Sequence, residues 1–111
     1  MDYREPYIVY ADLTFTVRVC EEGDEVDEDR VLKALETAGK ALPPDTEIVD
    51  LYEDWGTATD VIEFYVNIEQ KTYDDYLLLN DDDIFVYYKC VDVLLHDLDY
   101  EIDYTERFAW A

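Results

Sequence analysis

The sequence predicts an α+β fold, a four-stranded antiparallel sheet with two helices in the order βαββαβ. Three observations carry that expectation. Apolar residues alternate over residues 7–20 and 61–69, a helical apolar stripe runs between residues 31 and 42, and a second helical recurrence over residues 84–98 gives way to alternation from Tyr100. A ferredoxin-like, split βαβ sandwich has that element order.

The first strand spans Tyr7 to Cys20, with Tyr7, Val9, Ala11, Leu13, Phe15, Val17 and Val19 on one face and Asp12, Thr14, Thr16 and Arg18 on the other. The acid-rich turn EEGDEVDEDR follows. Within it Asp27 suits a helix N-cap, and Glu28 and Asp29 suit the positive end of the helix dipole. Val31, Ala34, Leu35, Ala38 and Leu42 then form one helical stripe, which Pro43-Pro44 should end.

Thr46 to Glu53 reads as the second strand. Val61 to Glu69 reads as the third, with Ile62, Phe64, Val66 and Ile68 inward and DWGTATD as the turn between the two. The segment over residues 72–98 mixes β-favouring aromatics with a helical recurrence at Ile84, Tyr87, Tyr88, Val91, Leu94, Leu95 and Leu98. A helix is the expected outcome. It starts either at Asp81 to Asp83, whose acids fit a first turn, or at Thr72, where Thr-x-x-Asp to Asp75 imitates a capping box. As a hairpin, the same segment would leave a mostly antiparallel sheet with one helix. A last strand alternates Tyr100, Ile102 and Tyr104 with Glu101, Asp103 and Thr105 and runs towards Phe108 and Trp110.

At 111 residues, half of them hydrophobic and 15% aromatic, the chain reads as one folded domain over residues 1–111. No apolar run reaches the roughly 18 to 20 residues of a membrane helix. The N-terminal MDYREPYIVYAD has acids where an export signal has a basic region, so a soluble, cytoplasmic protein is expected. Two cysteines, Cys20 and Cys90, without a CxxC or a third thiol, read as free and mostly buried.

Catalytic constellations are hard to find. The chain has no serine, and His96, its one histidine, sits beside Asp97 in VDVLLHDLD, where a helix boundary is the expected role. Three scattered glycines make no phosphate-binding loop, and neither DEVDED nor NDDD follows the ligand order of an EF-hand. No enzyme activity, cofactor or specific metal site is therefore expected.

The charge is the outlier. Thirty Asp and Glu against eight Lys and Arg give a formal net charge of −22, whereas a magnitude of about 2 to 8 suffices for solubility. Direct binding to nucleic acid or anionic lipid is excluded, because Arg4, Arg18, Arg30, Lys33, Lys40, Lys71, Lys89 and Arg107 are too few to line a positive groove. Basic proteins are the expected partners.

Acids at alternate strand positions stand about 6.8 Å apart, and acids at i, i+4 on a helix about 6 Å apart. Both spacings are comparable with those of successive phosphates along one DNA strand. Glu63 and Glu69 share one strand face and Glu101 and Asp103 another. Glu21, Glu22, Asp24, Glu25 and Asp27 after the first strand, and Asp81, Asp82 and Asp83, are expected to extend the track. Asp74 and Asp75, interleaved with tyrosines in YDDY, add contact residues.

In size, charge and aromatic content the chain resembles the small acidic DNA-mimic inhibitors that phages make against restriction enzymes, CRISPR effectors and DNA glycosylases. The resemblance is one of class, resting on composition and on no shared motif. It implies an anti-defence role, of the anti-CRISPR type, as a monomer or weak dimer that plugs the basic groove of an effector complex. The competing readings are an acidic partner or chaperone of a basic protein, and a halophile-adapted domain of unrelated function.

Overall fold

A computed structural model describes residues 6–56, 58–73 and 79–110. Its elements are β1 (Tyr7–Val19), α1 (Glu28–Ala38), one 3-10 turn (Gly39–Ala41), β2 (Thr46–Trp55), β3 (Val61–Thr72), α2 (Asp81–Leu94) and β4 (Tyr100–Trp110). The sheet order is β2-β3-β1-β4, and each neighbouring pair is antiparallel. β3 thus lies between β1 and β2, which is the split βαβ, ferredoxin-like topology that the element order predicts.

Alternation on the two central strands decides which face takes the helices. Phe15 pairs with Phe64, Leu13 with Val66 and Val17 with Ile62, and all six side chains are buried. Tyr7, placed by periodicity in the same inward set, is exposed.

α1 buries Val31, Ala34, Leu35 and Ala38, the predicted stripe, and Asp27 caps it by accepting from Arg30 N at 3.3 Å. The helix ends at Ala38, short of Pro43-Pro44, because the chain tightens into the 3-10 turn and Leu42 is already extended (φ −69°, ψ 154°) ahead of Pro43. Gly39 lets that turn pass close to β2: a Cβ there would stand 3.1 Å from Ile48 Cδ1.

The second and third strands run further than expected, β2 to Trp55 and β3 to Thr72. A bulge between Ile48 and Asp50 shifts the phase of β2. Ile48 and Leu51 therefore both pack on the core, although three positions separate them, and Val49 is left half exposed.

α2 starts at Asp81, as the first of the two predicted starts has it, while Thr72 closes β3. Its cap is Asn80, whose side chain accepts from Asp82 N (2.9 Å) and Asp83 N (3.2 Å), and Asp83 Oδ2 accepts from Asn80 N (3.0 Å). This reciprocal box lies eight residues beyond the Thr72 imitation. Ile84, Tyr87, Val91 and Leu95 are buried as expected, but Leu94, on the flank of that stripe, is 45% exposed.

Two buried polar contacts and one partly buried one tie the layers together. Tyr87 O–H donates to Leu35 O at 2.6 Å, joining α2 to α1. Leu79 N–H donates to Gln70 Oε1, and Gln70 Nε2 donates to Pro44 O at 3.5 Å. Gln70 is fully buried on β3 and so holds both the turn before β2 and the lead-in to α2. Gln70→Leu strands those backbone groups without partners and is expected to cost about 2–3 kcal/mol of stability in urea denaturation.

Cys20 and Cys90 are free. Neither is buried, contrary to expectation: Cys20 is exposed just past the end of β1, and Cys90 on α2 is half-buried against the core. His96 sits just past α2, with Nε2 3.1 Å from Asp97 Oδ1 and Nδ1 2.8 Å from Val93 O, an exposed boundary position. No helix among the described residues is long and apolar enough to cross a membrane.

Candidate interaction surface on the open sheet face

Partners across an antiparallel ladder point to the same side, so the registers set the face away from the helices in rows. One row reads Glu47, Glu69, Tyr10 and Ala109 across β2, β3, β1 and β4. The next rows read Asp50, Asn67, Asp12 and Arg107, then Tyr52, Tyr65, Thr14 and Thr105, then Asp54, Glu63, Thr16 and Asp103. A last row brings Val61, Arg18 and Glu101 together. Glu101 and Asp103 stand at alternate positions of β4, about 6.8 Å apart, and Glu47–Glu69 and Asp54–Glu63 face each other across neighbouring strands about 4.8 Å apart, while Glu63 and Glu69 are six residues apart on β3.

Cations are sparse on this face. Lys71 Nζ lies 4.0 Å from Glu69 Oε1, Arg18 stands opposite Glu101 and Arg107 opposite Asp12. Glu47 faces Glu69, and Asp54 faces Glu63, as directly opposed like charges. Such pairs disfavour a sheet.

Between them Tyr52 and Tyr65 stack with centroids 5.0 Å apart. Tyr65 O–H donates to Glu63 Oε2 at 2.7 Å. That bond, burial and the neighbouring charges of Glu63 and Asp54 push the Tyr65 phenol up to about 12, so it remains a donor at neutral pH and fixes the carboxylate. A shallow depression of about 310 Å³, lined by Asp54, Gly56, Ala58, Val61 and Glu63, opens beside this pair.

The register thus brings Glu63, Glu69, Glu101 and Asp103 onto one face. Glu21, Glu22, Asp24 and Glu25 are exposed in the loop after β1, at the Glu63–Asp103 end of the sheet. There they line a depression of about 400 Å³ with Thr59 and Asp60, held by Val19 N–H to Asp60 O (2.9 Å) and Val26 N–H to Thr59 O (3.2 Å). Gly23 makes the turn at φ +89°. Asp27 is committed to capping α1, and its own N–H donates to Tyr100 Oη at 2.7 Å.

Asp81, Asp82 and Asp83 do not extend the track. They begin α2, on the helix side of the sheet and at its other end, and Asp83 is held in the capping box. Asp74 and Asp75 lie outside the described residues. Periodicity over β1 already put Asp12 on this face. Glu47, Asp50 and Asp54 were not singled out by the sequence: the bulge in β2 hides which side Glu47 and Asp50 take, and Asp54 falls in the expected turn DWGTATD, whereas β2 runs on to Trp55.

Asp81 has a different role. Its carboxyl lies against Glu106, which shares the helix-side register with Leu13, and Glu106 Oε2 is buried without a hydrogen-bond partner. Burial first, then the neighbouring Asp81 carboxylate, push the Glu106 carboxyl up to about 7. A folded-state value above the unfolded one means that the folded chain holds this proton more tightly. The stabilisation is complete below about pH 4.5 and is lost as pH rises through about 7. Glu106→Gln should therefore be the more stable form above pH 7, and the difference in urea midpoint between it and the parent should shrink towards pH 4.5.

No protein-family model matches the chain, and no curated protein matches it in sequence. Among the described residues no group of three or more His, Cys, Asp or Glu side chains is disposed to hold a metal ion. Sheet order and helix placement define an α+β, ferredoxin-like sandwich with one open acidic face. The backbone is similar to part of an aminobenzoyl-glutamate utilization protein from Klebsiella pneumoniae (TM-score 0.58, 11% identity, 96% of this chain and 28% of that one). It is also similar to part of a tripeptidase from Staphylococcus aureus (0.54, 11%, 93% and 29%) and of a hydantoinase/carbamoylase family amidase from Burkholderia ambifaria (0.51, 10%, 96% and 29%). The chain spans less than a third of the length of each. At these identities the likeness is one of fold alone.

Proposed function

We propose that the chain is a non-enzymatic inhibitor that imitates nucleic acid, offering its open sheet face to the basic DNA- or RNA-binding groove of a host defence complex, of the anti-CRISPR type, in the cytoplasm. One observation carries this reading: Glu47 opposite Glu69 and Asp54 opposite Glu63 set like charges face to face on an exposed surface, where they weaken the fold that presents them. Solubility does not require opposed acids, since the same carboxylates spread over both faces would serve it. Two opposed pairs of carboxylates, with Asp12, Asp50, Glu101 and Asp103 on the same face and two stacked tyrosines between the pairs, suit a groove lined by Lys and Arg.

The test is capture on the immobilised chain at about 0.1 M salt, where charges are screened over about 10 Å, followed by competition. Retention of a nucleic-acid-binding effector that duplex DNA or guide RNA displaces is the expected result. Indiscriminate retention of basic proteins would replace this reading with that of an acidic chaperone. Unfolding at low salt with recovery in molar salt, and no effector retained, would replace it with halophilic adaptation.

A further inference from the structure

The helix layer carries a second unusual surface, on the side of the molecule away from the acidic sheet. α2 is apolar around more of its circumference than the sheet covers. Ile84, Tyr87 and Val91 are buried, whereas Phe85, Val86, Val93 and Leu94 are 45% to 66% exposed. With the end of α1 and the 3-10 turn they bound an open groove of about 480 Å³. Among the described residues no acid lines this groove, although the chain has thirty, while two of its eight cations, Lys40 and Lys89, do. Lys89 Nζ stands 5.3 Å from the centroid of the Phe85 ring, which holds the cation beside the apolar wall.

We infer that this groove docks an amphipathic helix of a partner protein, its apolar i, i+3/i+4, i+7 stripe seated between α1 and α2 and its flanking acids paired with Lys40 and Lys89. Charge disfavours an isologous contact with a second copy of the chain. An isologous contact over this patch would bring Lys40 and Lys89 of both copies together with no acid among the lining residues to meet them. A small amphiphile fits poorly too, because ligand sites bury some 70–90% of their occupant and the four apolar walls here remain half open to water. The inference does not depend on the role of the sheet face.

The two free thiols supply the assay. Cys90 lines the groove and Cys20 lies on the loop after β1, so iodoacetamide labelling of Cys90 reports occupancy and Cys20 is the internal control. The probes are two synthetic peptides of about 18 residues, five helical turns, with the same leucine stripe, one flanked by glutamate and the other by lysine. The glutamate peptide is expected to slow Cys90 labelling roughly fivefold more than the lysine peptide, although the net charge of −22 favours the lysine peptide elsewhere. Lys40→Glu with Lys89→Glu should reverse that order, and Val93→Glu, at an exposed position, should abolish protection with the circular dichroism unchanged.

Equal protection by both peptides, or by neither, overturns the inference. So does protection by laurate where the glutamate peptide gives none, which would assign the groove to a small amphiphile. Concentration-dependent protection without peptide, accompanied by a dimer in sedimentation, would assign it to a second copy.

Discussion

Replacing Glu47 and Asp54 together by lysine is expected to make the chain more stable and, under the proposed function, a much poorer inhibitor. Both residues are exposed on the edge strand β2, opposite Glu69 and Glu63 on β3. The double change converts two opposed like-charge pairs into opposite-charge pairs, each worth about 0.2–1 kcal/mol. The urea midpoint should therefore rise by the equivalent of about 1–2 kcal/mol. Binding to a basic groove should fall a hundredfold or more, since like charges set against each other at an interface cost several kcal/mol.

Opposite signs in the two measurements are the diagnostic. If the acids only kept the chain in solution, stability would rise with no loss of capture, and the proposed function would fail. The parallel experiment on Asp81–Asp83 is less clean, because Asp83 closes the Asn80 capping box. Charge reversal there would unsettle α2 whether or not a partner touches it.

The second large effect is on the fold itself. Tyr87→Ala is expected to cost about 4 kcal/mol, a large part of the roughly 5–15 kcal/mol that holds a domain folded, and to lower the melting temperature by roughly 4 °C per kcal/mol. Tyr87 is completely buried, meets Phe15 edge-on with centroids 6.0 Å apart, and donates to Leu35 O. Its ring thus fills the space between α2 and the centre of β1, and its hydroxyl pins α1. Burial pushes the phenol above the ordinary tyrosine range, so it stays a donor throughout neutral pH.

Tyr87→Phe separates the two contributions. Keeping the ring and removing the hydroxyl should cost about 1–2 kcal/mol, the penalty for a buried carbonyl that loses its donor. Equal losses for both variants would mean that the hydrogen bond, not the packing, joins the layers.

Periodicity made the architecture legible because each side of an element must be either covered or wet. Alternation over Val9 to Val19 and over Ile62 to Ile68 places the core face of β1 and β3, and the stripe Val31, Ala34, Leu35 and Ala38 places the buried side of α1, without any tertiary information. It failed where local signals compete. Two caps were available for α2, Thr72 and a start near Asp81, and nothing local states that β3 continues to Thr72. The bulge at Val49 broke the alternation of β2, and Pro43-Pro44 marked the last residue that an α-helix could reach while the helix stopped earlier, at Ala38.

The charge of −22, the absence of a serine nucleophile, and the carboxylates on alternate strand positions belong to the sequence alone, because composition and a period of two need no partner strand. Which acids stand together was decided by the register. Only the pairing of β1 with both β3 and β4 sets Glu63 and Asp103 on either side of Thr16, and only the pairing of β2 with β3 opposes Asp54 to Glu63. Contacts between residues distant in the chain likewise assigned Gln70 to two backbone groups, joined Asp81 to Glu106 across the helix layer, and left Phe85 and Val93 uncovered beside Lys40. A local pattern states which side a residue takes; the packing of distant segments determines its neighbours.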